Sequence, residues 1–252
     1  MSPERFIKIK EVLNRRQPDL TVITDNVHKP RNLSAIVRTC DAVGVPYVHS
    51  ADPDGGYGTY HGTAKGSHSW VKVHLYEGVE SPIKTLQAEG FKVYAATFTD
   101  RAVDYRELDY TQPCAILMGA EKFGVSDTAA ELADEHIMIP MMGMVESFNV
   151  SVAAAIILSE AQRQRVDAGL YNESRMDADE YQTTLFEWAQ PKIAQYCKER
   201  HLEYPPLTEE GDIENPSEWY QSVRIIRDQV REKRQAVKAV ISEAEARHEP
   251  LD

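Results

Sequence analysis

LTVITDNVHKPRNLSAIVRTCDAVGVPYVHS, residues 20–50, decides the fold class. LTVIT (20–24) is a short β-branched run, the composition of a strand. HKPRNLS (28–34) reads as a loop, because Pro30 disfavours helical backbone at Lys29. Asn32 or Ser34 then caps a helix through Ala35, Ile36, Val37, Cys40 and Val43, and Gly44 ends it. VPYVHS (45–50) is the next strand. Strand, helix and strand in that order make a βαβ unit, and such units build parallel sheets.

The pattern continues outward. WVKVHLY (70–76), KVYAATF (92–98), CAILMG (114–119) and HIMIP (136–140) read as further strands. CAILMG is almost wholly apolar, as a strand buried on both faces should be. Helices are predicted over 82–89, 126–133 and about 149–167. At the N-terminus, residues 3–16 form an amphipathic helix with Phe6, Ile7, Val12 and Leu13 as its stripe, stopped by Pro18. DPDGGYGTYHGTAKGSHSW (52–70) is a long loop, and DRAVDYRELDYTQP (100–113) a polar excursion. Beyond Tyr171 the chain turns acidic, and from Pro216 to His248 it reads as a long charged helix. Three segments follow: 1–19, 20–170 and 171–252.

The chain has 252 residues, 42% hydrophobic and 27% charged, ordinary for a globular protein. No apolar run is long enough for a membrane span, and the N-terminus lacks the apolar core of a secretory signal, so a cytoplasmic location is expected. The three cysteines, Cys40, Cys114 and Cys197, are scattered, which argues against disulfides and against a CxxC metal site. His61, His68 and His74 lack metal-ligand spacing, so no metal is expected. There is no GxGxxG after the first strand and no P-loop, which disfavours a dinucleotide enzyme.

A net charge of −12 argues against a polyanionic partner, but the distribution matters more. Residues 1–38 carry eight Lys/Arg against four acids, whereas 171–252 carry 11 basic and 18 acidic residues. A basic N-terminal segment fits either a local anion-binding surface or a solvated helix face.

Three segments place polar residues where packing favours apolar ones. KPRNLSAIVR (29–38) holds Asn32 and Arg38, six apart and broadly on one helix face. LMGAEKFGV (117–125) brackets Glu121 and Lys122 between Gly119 and Gly124. IPMMGMVESFNVSVAAAIILSEAQRQR (139–165) sets Asn149 and Ser151 at the start of an apolar helix. Each lies just after a strand or between strand and helix, where parallel sheets bind ligands.

NLSAIVRTCDAVGV (32–45), ILMGAEKFGV (116–125) and IPMMGMVESFNVSVAAAIILSEAQRQ (139–164) resemble, in order and spacing, the three motifs of the SpoU or TrmH-like branch of the SPOUT RNA methyltransferases. The likeness covers about residues 1–170. RRQPDLTV (15–22) and AVDYRELDYTQP (102–113) place it among the enzymes of that branch that act on tRNA. The resemblance implies an α/β fold, a mainly parallel sheet flanked by helices, with a C-terminal trefoil knot, an N-terminal helix and a helical C-terminal extension. It implies methyl transfer from S-adenosylmethionine to the ribose 2'-hydroxyl of guanosine 18 in the tRNA D-loop. It also implies a homodimer with the active site at the subunit interface. A relative acting on ribosomal RNA, or a catalytically silent RNA-binding protein, would share much of the pattern.

By the same resemblance Arg38 is the essential catalytic residue, with Asn32, Glu121, Ser147, Asn149 and Ser151 completing the site. Leu117, Met118, Gly119, Ile139, Met144, Ser147 and Phe148 would hold the cofactor. Leu is commoner than Phe at position 148, which implies a repacked pocket. Arg5, Lys8, Arg15, Arg16, His28, Arg31, Arg163 and Arg165 would grip tRNA. The extension after about Arg227 is longer than the family pattern explains.

Overall fold

A computed structural model of the chain describes residues 1–51 and 69–224. The Gly- and His-rich stretch at 52–68, with His61 and His68, lies outside the described residues. So does the charged helix expected to run to His248, apart from a helical start at 216–224.

The described strands are β1 (Leu20–Asp25), β2 (Tyr47–Ala51), β3 (Lys72–Tyr76), β4 (Lys92–Ala96), β5 (Val103–Asp104), β6 (Cys114–Met118) and β7 (Glu135–Met138). They form one sheet in the order β3-β2-β1-β6-β4-β7-β5. Every pairing is parallel. Parallel neighbours need crossovers, and helices α2 (Pro30–Val43), α3 (Glu80–Ala88), α4 (Asp127–Leu132) and α5 (Val150–Asp167) lie between strands or close the series.

The central strands explain the apolar runs. In β6, Cys114, Ile116 and Met118 join the core lined by Leu33, Ile36, Val37 and Cys40 of α2 and Ala154, Ile157 and Leu158 of α5. Ala115 and Leu117 point the other way, into a second core with Ile83 and Leu86 of α3 and Ala129 of α4. A period of two with both faces covered gives an unbroken apolar sequence.

Several boundaries differ from the sequence reading. Helix α2 starts at Pro30 rather than at Asn32 or Ser34; Lys29 is its extended N-cap and Pro30 occupies the first turn. Proline suits that position because its missing N–H is one the helix start leaves unpaired. The reading at Lys29 holds, and the helix begins one residue later. Gly44 ends α2 at φ 86°, and a Cβ there would sit 2.7 Å from the Arg15 carbonyl oxygen, so glycine is required twice over. Helix α1 (Pro3–Asn14) buries Phe6, Ile9 and Leu13, while Ile7 is 53% exposed. The polar excursion contains the two-residue strand β5, too short and charged for a pattern to show. Tyr110 is fully buried there, its hydroxyl donating to the Tyr105 carbonyl at 2.7 Å.

Two compact units divide the chain. One spans Lys8–Leu185 and contains the sheet. The other joins Met1–Ile7 to the described residues from Phe186 onward, with α7 (Pro191–Arg200) and the end of α6 (Ala178–Ala189). In the second unit Phe186 stacks on Tyr204 with ring centroids 4.4 Å apart. Gly211 lies against Phe6 so closely that a Cβ would approach its ring to 2.5 Å.

Candidate active site

All strands run the same way, so the loops after β1, β6 and β7 leave one edge of the sheet. Each carries one of the three polar segments.

The loop after β6 is the tightest. Ala120 and Gly124 exchange backbone hydrogen bonds, at 2.9 Å from the Ala120 N–H and 2.8 Å from the Gly124 N–H. That folds Glu121, Lys122 and Phe123 into a narrow tip. A Cβ on Gly119 would meet the Gly124 carbonyl carbon at 2.1 Å, so the crossing requires glycine. Gly124 itself adopts φ 69°. Ser126 then caps α4, its side chain accepting from the Ala129 N–H.

Asn149 is the N-cap of α5 and ends the loop after β7. Its Oδ1 accepts from both the N–H and the hydroxyl of Ser151, at 2.9 and 2.6 Å. Asn149 therefore has a local reason to head this apolar helix: it satisfies a backbone donor that the first turn leaves open, and the Ser151 hydroxyl donates to the same oxygen.

The three segments meet. Asn149 Nδ2 donates to Asn32 Oδ1 at 3.3 Å, and Asn32 Nδ2 donates to Glu121 Oε1. Lys29 Nζ stands 4.0 Å from the same carboxylate oxygen. A directional chain thus runs from Ser151 through Asn149 and Asn32 to a half-buried Glu121. Ser147, exposed, makes no hydrogen bond to it among the described residues.

Arg38 stands apart. A six-residue step turns an α-helix through about 600°, which leaves it some 120° from Asn32 rather than on one face. It is exposed and has no hydrogen-bond or ion-pair partner among the described residues. Of the cofactor candidates, Leu117, Met118 and Gly119 are buried at the end of β6. Met144 is 99% exposed and Phe148 41%; Ile139 is half-buried. Met142 and Val145 are exposed beside them, and no hydrogen bond among the described residues uses the backbone of 141–148.

Two of the cations expected to grip RNA are corrected by burial. Arg165 is fully buried on α5. Its guanidinium donates to Asp19 Oδ1 at 2.7 Å, to Gln17 Oε1 at 3.1 Å, and to the carbonyls of Tyr110, Asp19 and Gln112. Arg16 is 1% exposed and donates to Asp41 Oδ1 at 2.6 Å and the Trp70 carbonyl at 2.9 Å. Both knit loops together instead of facing solvent. Arg5, Lys8, Arg15, His28 and Arg31 are exposed; so is Arg163, held by Glu160 and Asp167 on its own helix.

The sequence reading missed Asp25, the last residue of β1. It is 2% exposed, and its carboxylate accepts from the Ser126 N–H and from the Asn26 side-chain amide, both at 2.8 Å. An acid ending an apolar strand was the available signal.

The SpoU rRNA Methylase family matches residues 19–159, more than half of the chain, and the SpoU rRNA methylase C-terminal family matches residues 163–216. The chain belongs to the SpoU methylase family. This SpoU methylase chain is 56% identical over 181 residues to the tRNA (guanosine(18)-2'-O)-methyltransferase of Thermus thermophilus, covering 72% of this chain and 93% of the relative. Its fold is similar to the solved TrmH/SpoU tRNA modifying enzyme of A. aeolicus, with TM-score 0.69 and 40% identity over 75% of this chain and 97% of that one. It is also similar to a solved rRNA methyltransferase of Sinorhizobium meliloti with bound AdoMet, with TM-score 0.51 and 32% identity over 61% and 59% of the two chains.

Proposed function

We propose that this SpoU methylase transfers a methyl group from S-adenosylmethionine to the ribose 2'-hydroxyl of guanosine 18 in the D-loop of tRNA. One observation carries the reading: Asn32, Glu121, Asn149 and Ser151, from the three segments that follow β1, β6 and β7 on one sheet edge, form a single hydrogen-bonded chain beside exposed Lys29.

The loop at 141–148 suits the cofactor. Its unused backbone groups can read the edge of an adenine, and Met144, Val145 and Phe148 offer apolar walls to a ribose and a thioether. When bound, S-adenosylmethionine supplies a methyl group already activated by its sulfonium. The chain must then align the ribose hydroxyl and stabilise the oxygen as its proton passes to solvent water. Arg38 is the residue for that step. A guanidinium keeps its proton at neutral pH, so it acts through charge, stabilising the developing alkoxide and a neighbouring phosphate. Glu121 and Asn32 hold the loop tip and the start of α2 to each other.

Arg38 lies outside the hydrogen-bonded chain within one copy. A homodimer whose interface completes the site, with the C-terminal knot of the family, accounts for that separation. It also covers exposed Met142, Phe148 and Val152. The exposed cations of residues 1–19, with His28 and Arg31, serve as tRNA-binding residues. The test is methyl transfer from labelled cofactor to tRNA and ribosomal RNA transcripts side by side. Labelling of tRNA is expected; labelling of ribosomal RNA alone would overturn the substrate, and of neither, the enzyme.

A further inference from the structure

We infer that Asp25 is a positioning residue for methyl transfer: its buried carboxylate locks the loop that carries Glu121 to the turn that launches the Asn32 helix. The inference rests on the reading above.

The geometry is that of a joint. Asp25 ends β1, where the chain must turn toward α2. Asn26 makes that turn in left-handed backbone, φ 56°, and is fixed twice: its N–H donates to the Ala51 carbonyl at 2.9 Å, and its side-chain amide donates to Asp25 Oδ1. The other oxygen, Oδ2, accepts from the N–H of Ser126, the residue at which the Glu121 loop returns to start α4. One side chain therefore ties the turn that leads into α2 to the end of the Glu121 loop, the two segments that meet at Asn32 and Glu121. The bond to Ser126 is not helix capping, since Ser126 caps α4 with its own hydroxyl.

The cost of this arrangement also needs a reason. Asp25 is 2% exposed and has no cation partner among the described residues. Burying a carboxylate without a cation is expensive, and both of its hydrogen bonds among the described residues go to this joint. An amide would be cheaper to bury, but asparagine supplies one acceptor and one donor. In either orientation one of its ends confronts a donor, the Ser126 N–H or the Asn26 amide.

That mismatch defines the experiment. D25N should lower turnover on tRNA at saturating cofactor about tenfold to a hundredfold, the cost of a misplaced site. The KM for cofactor should move far less than turnover. Amide exchange over 119–126 should quicken in the same variant. The swap variant D25N/N26D restores complementarity: Asn at 25 accepts from Ser126 and donates to Asp at 26, which tolerates left-handed backbone. Turnover and exchange should both return toward the wild-type values. Should D25N fail to fold, the swap variant carries the test alone.

Wild-type turnover in D25N, unchanged exchange over 119–126, or a swap variant as impaired as D25N would each overturn the inference. Failure of the wild-type chain to methylate any RNA would instead sink the functional reading. The exchange arm would then still decide whether Asp25 joins the two loops.

Discussion

Two arginines show how far identity and environment can diverge. Arg38 is exposed, and we expect R38A to lose at least about a hundredfold in methyl transfer, the size of one preorganised electrostatic contact. R38K keeps the charge but loses the planar fork, so it should lose about tenfold or more. Near-full activity in R38K would exclude a specific guanidinium role. Arg165 is the opposite case, every donor spent inside the protein. Burial raises the carboxyl of Asp19, but hydrogen bonds and charge from Arg165 and Arg175 outweigh it and hold Asp19 below the usual range. A depressed carboxylate contributes stability above its unfolded value and loses it as pH falls through the folded one. R165M should therefore cost about 3–5 kcal/mol, as when one partner of a buried pair is removed. Urea unfolding at pH 7 measures it, and the deficit should shrink toward acid pH as Asp19 protonates. A deficit that stays constant down to pH 3 would contradict the pairing. Nothing in EAQRQR separates Arg163 from Arg165. Position on the helix face decides it, and that depends on what packs above.

Among the elements, the loop after β6 shows what local chemistry encodes. Its two glycines are legible as brackets, but the reason for Gly119, a backbone crossing against Gly124, requires coordinates. G119A should lower both methyl transfer and the thermal midpoint; unchanged activity would mean the crossing is dispensable. The strand–helix alternation is legible because both faces of the central strands are covered. In sequence the N-cap at Asn149 looks like a misplaced polar residue, since an asparagine that caps a helix and one that serves a site are the same residue type there. The edge pair β2 and β3 carries a second device no pattern reveals. His49 and His74 stack with ring centroids 5.4 Å apart, and His49 Nδ1 lies 3.0 Å from the Tyr76 hydroxyl. Burial, with the neighbouring His74, pushes His49 down to about 4. The unfolded chain takes that proton first, so stability should fall as pH drops from about 6.5 toward 4. H49Q should flatten this part of the pH–stability curve; an unchanged curve would rule out the pair as its source.

For the whole molecule, net charge misleads and distribution informs. The chain carries −12 overall, yet Arg5, Lys8, Arg15, His28 and Arg31 are exposed in its first 31 residues. Phosphate contacts make affinity fall with salt. Replacing Arg15 and Arg31 should weaken tRNA binding and flatten its salt dependence, by about one unit of slope for each phosphate no longer neutralised. An unchanged slope would make them a solvated face. Arg16 carries no such expectation, because it is sealed against Asp41. The meeting of three loops on one edge is legible from motif order, while the joint beneath them at Asp25 is not, since a single acid after an apolar strand has many meanings. The proposed activity modifies a single nucleotide. Unmodified tRNA incubated with the protein and S-adenosylmethionine, then mapped nucleotide by nucleotide, should carry a new 2'-O-methyl group at guanosine 18 and nowhere else. A methyl group on a base, at another ribose, or on no nucleotide would contradict the account.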